Sequence, residues 1–275
     1  MTKIQFIRKL SADGKNILYA WFEAMHTRID MLLCSGTSYE NLELVANSIQ
    51  CKIDNIEKIA NRFEPRSELY FVNNNAFDRP CNISEELTEI IEECLIYNKK
   101  TYKCFDITVN SLNNYRSGIE NICFEPEKRR ISYNHPDIQI DLNGYIKGYS
   151  LRFAAQILRE NNITDALISM GSSSILAMGN HPQAEGWSIG LDPEFDKNNT
   201  SVTLFNECFT TSGNSLKNPL HIINPETGEF VKEMNTISVI TADPALGEIL
   251  STAFFVANNP QRQLMLKELP VRLVN

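Results

Sequence analysis

The segment DLNGYIKG at 141–148 combines three features that suit a phosphate group. Asp141 stands where a strand is predicted to end, a glycine turn follows at Gly144, and Lys147 falls in the first turns of the next predicted helix. A strand–turn–helix junction presents free backbone N–H groups, and the lysine adds a positive charge. The spacing therefore indicates an anion site, with an ordinary turn and a solvated lysine as the alternative.

A second candidate site lies near the C-terminus, on a predicted helix that begins at Pro244. Glu248 and Thr252 are four residues apart, so they share one helix face, with Ser251 beside them. Carboxylate and hydroxyl oxygens are the hard ligands that Mg²⁺ prefers. The pattern is compatible with a magnesium site, and an exposed polar helix face is the alternative.

Two further stretches carry groups for polar contacts or proton transfer. TTSGN at 210–214 is predicted to be a hydroxyl- and glycine-rich loop, and HIINPETG at 221–228 contains a turn at 224–228. His221 is one of only four histidines, and a histidine can move a proton near neutral pH. A histidine packed between strands is the alternative. YKCFDIT at 102–108 is by its residues alone an aromatic-bearing connection of structural character.

Composition limits the class of protein that carries these motifs. A net charge of -8 argues against nucleic acid or an anionic membrane as the main partner. We find neither a signal-peptide pattern nor an apolar run of membrane-helix length, so we predict a cytoplasmic protein without membrane insertion. The seven cysteines are scattered without a C-x-x-C pair, which predicts reduced thiols and not zinc ligands.

The elements that must position these residues mix strands and helices without a regular βαβ alternation. Neither a G-x-G-x-x-G nor a G-x-x-x-x-G-K-[ST] motif is present, so the sequence lacks the strongest motif evidence for a Rossmann or a P-loop fold. We predict an α+β fold with mixed or antiparallel sheets flanked by helices, in one domain over residues 1–275. Strands are predicted within 17–34 and at 119–125, 130–133, 166–170, 186–191, 201–205 and 236–241, helices at 38–62, 84–98, 145–160 and from 244 to about 256, and a turn at 192–193.

Seven segments, taken in order, resemble the ApbE family of FAD:protein FMN transferases. They run from about Met25 to Val256, so the resemblance covers most of the chain. The segment at 141–150 is the closest to its family counterpart, D-L-G-G-I-A-K-G-Y. The seven segments are RFEPRSEL at 62–69, YKCFDITV at 102–109, DLNGYIKGYS at 141–150, ALISMGSSSILAMG at 166–179, TTSGNS at 210–215, HIINPETG at 221–228 and EILSTAFFV at 248–256.

This resemblance implies an ApbE-like, T-fold-like architecture and a site for FAD and Mg²⁺. It implies transfer of FMN from FAD to a Ser or Thr hydroxyl of an acceptor flavoprotein subunit, with release of AMP. His221 and Asp141 are the two candidates for the general base. Carried over by position, the metal ligands are Gly144, Glu248, Ser251 and Thr252, and the FAD-lining residues are Met25, Phe63, Cys104, Phe105, Asp106, Asp141, Lys147 and Ile222.

Three positions depart from the family pattern. Glu248 stands where the family usually has Asp, Asn143 replaces the first signature glycine, and Ser172 replaces the second glycine of a Gly-Gly motif. A FAD-binding protein without transferase activity, or a pyrophosphatase that hydrolyses FAD to FMN and AMP, would use the same residues. The sequence does not separate these alternatives from the transferase.

Overall fold

The structure is a computed structural model that describes residues 3–114, 118–191, 194, 200–214 and 220–274. Its main feature is an eight-stranded sheet in the order β1-β2-β3-β7-β8-β11-β12-β13, in which every neighbouring pair is antiparallel. These strands are β1 (Gln5–Leu10), β2 (Asn16–Ala24), β3 (Thr27–Ser35), β7 (Asp165–Met170), β8 (Ser174–Met178), β11 (Glu207–Gly213), β12 (Thr236–Thr241) and β13 (Arg272–Val274).

Two smaller sheets accompany it. A three-stranded antiparallel sheet has the order β4-β6-β5, and β9 pairs with β10. Trp187 of β9 packs over the main sheet against Ile175 and Phe209, and its Nε1 donates a hydrogen bond to Met178 O at 2.8 Å. The five strands are β4 (Cys81–Asn82), β5 (Ile122–Glu125), β6 (Arg130–Tyr133), β9 (Trp187–Gly190) and β10 (Ser201–Leu204).

Six helices complete the described part of the chain, and polar residues cap most of their N-termini. The side chains of Ser38, Ser67, Ser84, Asp243 and Asn258 each accept a hydrogen bond from a backbone N–H in the first turn, which satisfies donors that the helix leaves unpaired. The helices are α1 (Tyr39–Ala60), α2 (Glu68–Asn75), α3 (Glu85–Lys100), α4 (Ile146–Glu160), α5 (Pro244–Val256) and α6 (Asn259–Glu268).

The helices α4 and α5 touch backbone to backbone near their N-termini. A β-carbon added at Gly148 would collide with Pro244 O and would lie 2.7 Å from Ala245 Cα. Next to this contact, Arg152 donates to both carboxylate oxygens of Glu93 at 2.8 and 2.7 Å, and to Asp243 Oδ1 at 3.0 Å. One guanidinium therefore joins α3, α4 and the cap of α5.

The α+β class with antiparallel sheets is confirmed, and the predicted helices and most predicted strands lie within a few residues of their observed ends. Three local predictions are wrong. Residues 118–121 form a 3₁₀ turn, so β5 begins only at Ile122; residues 210–213 belong to β11 and not to a loop; and Asp141 ends an extended segment that is not a strand. The predicted turn at 192–193 lies outside the described residues.

All seven cysteines are free thiols, as the scattered spacing predicts. Throughout the described ranges, we find no helix with the length and apolarity needed to cross a membrane.

Candidate active site

Lys147 lies in the first turn of α4 and faces the hairpin between β7 and β8. Its Nζ donates hydrogen bonds to Ser173 Oγ at 2.6 Å and Ser174 Oγ at 2.9 Å, and lies 3.7 Å from Glu248 Oε2. The helix supplies the position, because Gly144 and Tyr145 end the preceding turn and α4 begins at Ile146. The lysine charge is therefore held in place before any ligand binds.

Glu248 is the carboxylate partner in this arrangement. It lies one turn into α5 with only 4% of its surface exposed, and its Oε1 accepts a hydrogen bond from Ser174 Oγ. A solvated helix face does not bury a glutamate to this extent, so the alternative that the sequence left open is ruled out. Because a buried carboxylate needs a counter-charge and hydrogen bonds, Lys147 and Ser174 explain how it is accommodated.

Three hydroxyl groups lie beside this pair. Ser212 on β11 has its Oγ 2.7 Å from Ser251 Oγ and 3.2 Å from Thr252 Oγ1. A β-carbon added at Gly144 would lie 3.9 Å from Thr252 Oγ1 and 3.5 Å from Phe105 Cε2. The turn before α4 thus approaches the hydroxyls of α5 closely, and a side chain at position 144 would fill the space between them.

The chemistry of this donor set fits magnesium. The four residues that the resemblance names as ligands offer oxygen only, with a single carboxylate among them. Among residues 3–114, 118–191, 194, 200–214 and 220–274, no three His, Cys, Asp or Glu side chains are grouped to hold a metal. Mg²⁺ does not need such a group, since it keeps several waters and binds substrate phosphates through one or two carboxylates.

Comparison with known proteins identifies the family. The sequence model described as "ApbE family" matches residues 25–273, which is nine-tenths of the chain. This chain belongs to the ApbE family. Its curated relatives include the FAD:protein FMN transferase of Klebsiella pneumoniae, 21% identical over 93% of this chain and 81% of the relative, and that of Chlamydia muridarum, 24% identical over 94% and 89%.

Solved ApbE structures share the fold. A histidine-to-glycine mutant of the flavin transferase ApbE from Vibrio cholerae superposes with a TM-score of 0.80 at 17% identity, over 93% of this chain and 92% of that one. The ApbE protein from Thermotoga maritima gives 0.79 at 21% identity, over 98% and 93%. The ApbE-like architecture that the sequence motifs predict is confirmed.

Asp141, in the segment before α4, is held by hydrogen bonds from three neighbours. Its Oδ2 accepts from Arg62 Nη1 at 3.2 Å and from Asn110 Nδ2 at 2.7 Å, and its Oδ1 accepts from Asn143 N at 2.9 Å. The Arg62 guanidinium also lies 5.3 Å from the ring centroid of Phe63, which is 66% exposed. Arg62 thereby joins two predicted FAD-lining residues, and Phe63 offers an open aromatic face.

The connection from α3 to residue 106 is conformationally strained. Tyr102 and Lys103 have φ values of 54° and 65°, a region that residues with a side chain seldom adopt. It ends in Cys104 and Phe105, both buried, where burial, with a smaller effect of Glu226, raises the pKa of the Cys104 thiol to about 11. Cys104 is therefore a thiol at neutral pH and serves as packing or contact, not as a nucleophile.

Asp106 turns back on its own loop. It accepts hydrogen bonds from the backbone N and the hydroxyl of Thr108, and burial raises its pKa. These hydrogen bonds show that Asp106 stabilises its own loop. Its contact with FAD stays a prediction.

Met25, His221 and Ile222 approach from other elements. Met25 lies at the β2–β3 turn, where its Sδ is 3.8 Å from Ser150 Oγ on α4. Ile222 is buried and His221 is exposed, and the buried Asn214 holds their segment because its Oδ1 accepts a hydrogen bond from His221 N at 3.4 Å. His221 is thus presented at the surface by a fixed loop.

Backbone conformation distinguishes two of the departures from the ApbE pattern. Ser172 adopts a φ of 65° in the three-residue turn between β7 and β8, a conformation that glycine adopts without strain. Asn143 does not have a positive φ, so its backbone conformation does not require glycine.

Three residues around the site were not singled out from the sequence, and a fourth, Ser212, was predicted only as part of the polar run at 210–214. Ser173 and Ser174 are small polar residues on a turn and a strand, and Arg62 ends a predicted helix. The hydroxyl-rich runs at 172–174 and 210–212 were a signal, but only the pairing of β8 with β11 brings them to Lys147 and α5.

Proposed function

We propose that this chain transfers FMN from FAD to a Ser or Thr hydroxyl of an acceptor flavoprotein subunit, with Mg²⁺ and with release of AMP. The observation that supports this most is the contact between α4 and α5, where Lys147 and the buried Glu248 lie beside the hydroxyls of Ser212, Ser251 and Thr252. The family and the names of its curated relatives agree with this reaction.

Cleavage of a diphosphate depends on positioning and on neutralising charge. Gly144 O, Glu248 and the hydroxyls of Ser251 and Thr252 would hold Mg²⁺, which would supply charge neutralisation at the phosphate oxygens. Lys147 would bind a phosphate oxygen with its Nζ, exchanging its two serine hydrogen bonds for a charge-assisted one.

His221 is the better of the two candidate bases. Asp141 accepts three hydrogen bonds on its two oxygens and pairs with Arg62, which suits a residue that orients the turn before α4. His221 lies on an exposed, anchored loop where an acceptor hydroxyl can approach. We expect His221 to take the proton from that hydroxyl and Asp141 to orient the turn before α4.

The assay measures AMP release from FAD as the Mg²⁺ concentration rises, with and without a candidate acceptor. We expect Glu248→Asp to preserve or raise the rate, because it restores the usual ApbE ligand. Glu248→Ala should abolish the Mg²⁺ dependence, and Glu160→Ala, at the exposed far end of α4, is the control. Superimposable curves for all four proteins would contradict the role of Glu248.

The same assay separates the alternatives. AMP release without flavin on the acceptor would indicate the pyrophosphatase, and FAD binding without AMP would indicate a binding protein. Comparing His221→Asn with Asp141→Asn at saturating FAD shows which one limits transfer.

A further inference from the structure

An acidic cleft lies outside the candidate active site, at the tip of the β2–β3 hairpin. It is formed by residues 23–28 together with Asp54 and Glu57 of α1, and has a cavity volume of about 530 Å³. Met25 is shared with the active-site side of the hairpin, where its Sδ faces α4. The cleft and the candidate active site therefore meet at Met25.

Asp54 is the unusual group in this cleft. Its side chain is nine-tenths buried, and its Oδ2 is shielded from solvent without a hydrogen-bond partner in the described structure. A buried carboxylate oxygen without a donor is costly, and native structures seldom keep one without a reason such as a bound group. Burial, with a smaller effect of Glu57, also raises the pKa of Asp54, and the charge of Lys58 offsets this only in part.

The surroundings favour a cation at this position. Glu57 lies one turn further along α1, and both carboxylates stand in the last two turns of the helix, where its dipole is negative. Glu57 Oε2 accepts from Met25 N at 3.0 Å, which ties the hairpin to the helix. Arg28, the cation in the cleft wall, is already paired with Asp30 at 2.9 Å and stacked on Trp21.

We propose that this cleft binds an organic cation, a guanidinium or primary ammonium group, through Asp54 and Glu57. Such a group supplies several N–H donors with one positive charge, which matches an unpartnered carboxylate oxygen beside a second carboxylate. The ligand is either a small free amine or a basic side chain of a partner protein.

The test compares two molecules of similar shape and different charge. Methylguanidinium and its neutral counterpart methylurea are titrated into the full-length protein without FAD or Mg²⁺, with amide chemical shifts of residues 23–28 and 54–57 as the readout. We expect saturable shifts with methylguanidinium alone. Asp54→Asn should weaken binding by about tenfold or more, since one charge-assisted partner is lost.

Asp78→Asn, an exposed change of identical charge, is the matched control and should leave the affinity unchanged. Agmatine and a blocked Gly-Arg-Gly peptide then separate the two sources: tighter binding of agmatine indicates a free amine, and tighter binding of the peptide indicates a partner's side chain. Equal binding of methylurea, no binding of any cation, or full affinity in Asp54→Asn would overturn the proposal. Because the readout needs neither FAD nor acceptor, failure here leaves the proposed transferase reaction untouched.

Discussion

At the scale of one residue, Ser172 shows how the β7–β8 turn accommodates a serine where the ApbE pattern has a glycine. The β7–β8 hairpin needs left-handed backbone at Gly171 and Ser172, with φ values of 63° and 65°. At Gly171 a β-carbon would also collide with Thr27, so only glycine fits there. Ser172 is exposed, so its side chain points into open space and only its left-handed backbone is strained. The turn still places Ser173 within hydrogen-bond distance of Lys147.

We expect Ser172→Gly to stabilise the protein modestly. Relief of left-handed strain is worth about 1–2 kcal/mol, and the greater freedom of glycine in the unfolded chain offsets about 0.5–1 kcal/mol of it. Ser188→Gly, at an exposed position in β9 with ordinary backbone, should instead destabilise. Urea unfolding of the three proteins measures this. Equal losses of stability in both variants would show that Ser172 is not strained.

At the scale of elements, the guanidinium of Arg152 links three helices, because from α4 it binds both Glu93 of α3 and Asp243, the N-cap of α5. Burial raises the pKa of Glu93, but hydrogen bonds from Arg152 and Tyr145 and the charge of Arg152 lower it more, so it lies below the ordinary value. A carboxyl with a depressed folded pKa stabilises the fold above its unfolded pKa, and this contribution is lost as pH falls through the folded pKa. The network therefore stabilises the arrangement at neutral pH and fails in acid.

Arg152→Met should lower the free energy of unfolding at pH 7 by about 1–3 kcal/mol, since Glu93 and Asp243 then face each other without a counter-charge in a partly buried site. The deficit should shrink as pH falls below about 4.3, the unfolded pKa of Glu, because a protonated Glu93 no longer needs the arginine. Arg129→Met, which breaks the exposed pair with Glu85, should change stability little at any pH. A deficit that is independent of pH would mean that packing, not charge, is lost.

The elements also show what a sequence can and cannot predict. α1, α3 and α5 were predictable because serine or proline marks their starts and apolar residues recur at helical spacing. α6 buries only Met265 and has no apolar stripe to detect. β8 is buried at all five positions and lacks alternation, and β11 ends in small hydroxyl residues that are typical of loops. Both strands line the site. The contact of Lys147 with Ser174 therefore depends on the pairing of β8 with β7 and β11, which the local sequence does not predict.

At the scale of the whole molecule, a chain with a net negative charge brings positive groups together at the candidate anion site. The net charge is -8, yet Lys147, Arg62 and the N-termini of α4 and α5 stand around the candidate site. The residues come from segments near 62, 104, 144, 212 and 250, so no short stretch of the chain forms it. A ligand that spans these segments gains contacts that a shorter one does not.

We therefore expect FAD to bind more tightly than FMN, because FMN lacks the second phosphate and the adenosine. Titration calorimetry with EDTA, which prevents turnover, compares the two. Lys147→Met should weaken FAD by roughly 1.5–3 kcal/mol through loss of a charge-assisted contact, whereas the exposed Lys128→Met should not. Equal affinities for the two flavins would contradict a dinucleotide site, and unchanged FAD affinity in Lys147→Met would remove Lys147 from it.

The backbone contact at Gly148 has a kinetic consequence. Since no side chain separates α4 from Pro244 and Ala245, the two helix starts lack a compressible layer through which they could slide apart. The positions of the helix turns that carry Lys147 and Glu248 are then set by folding and do not have to be re-established during each reaction cycle. Such preorganisation lowers an activation barrier by removing reorganisation from the chemical step. We therefore expect Gly148, which is not among the predicted FAD-lining residues, to contribute to the rate of the proposed transfer.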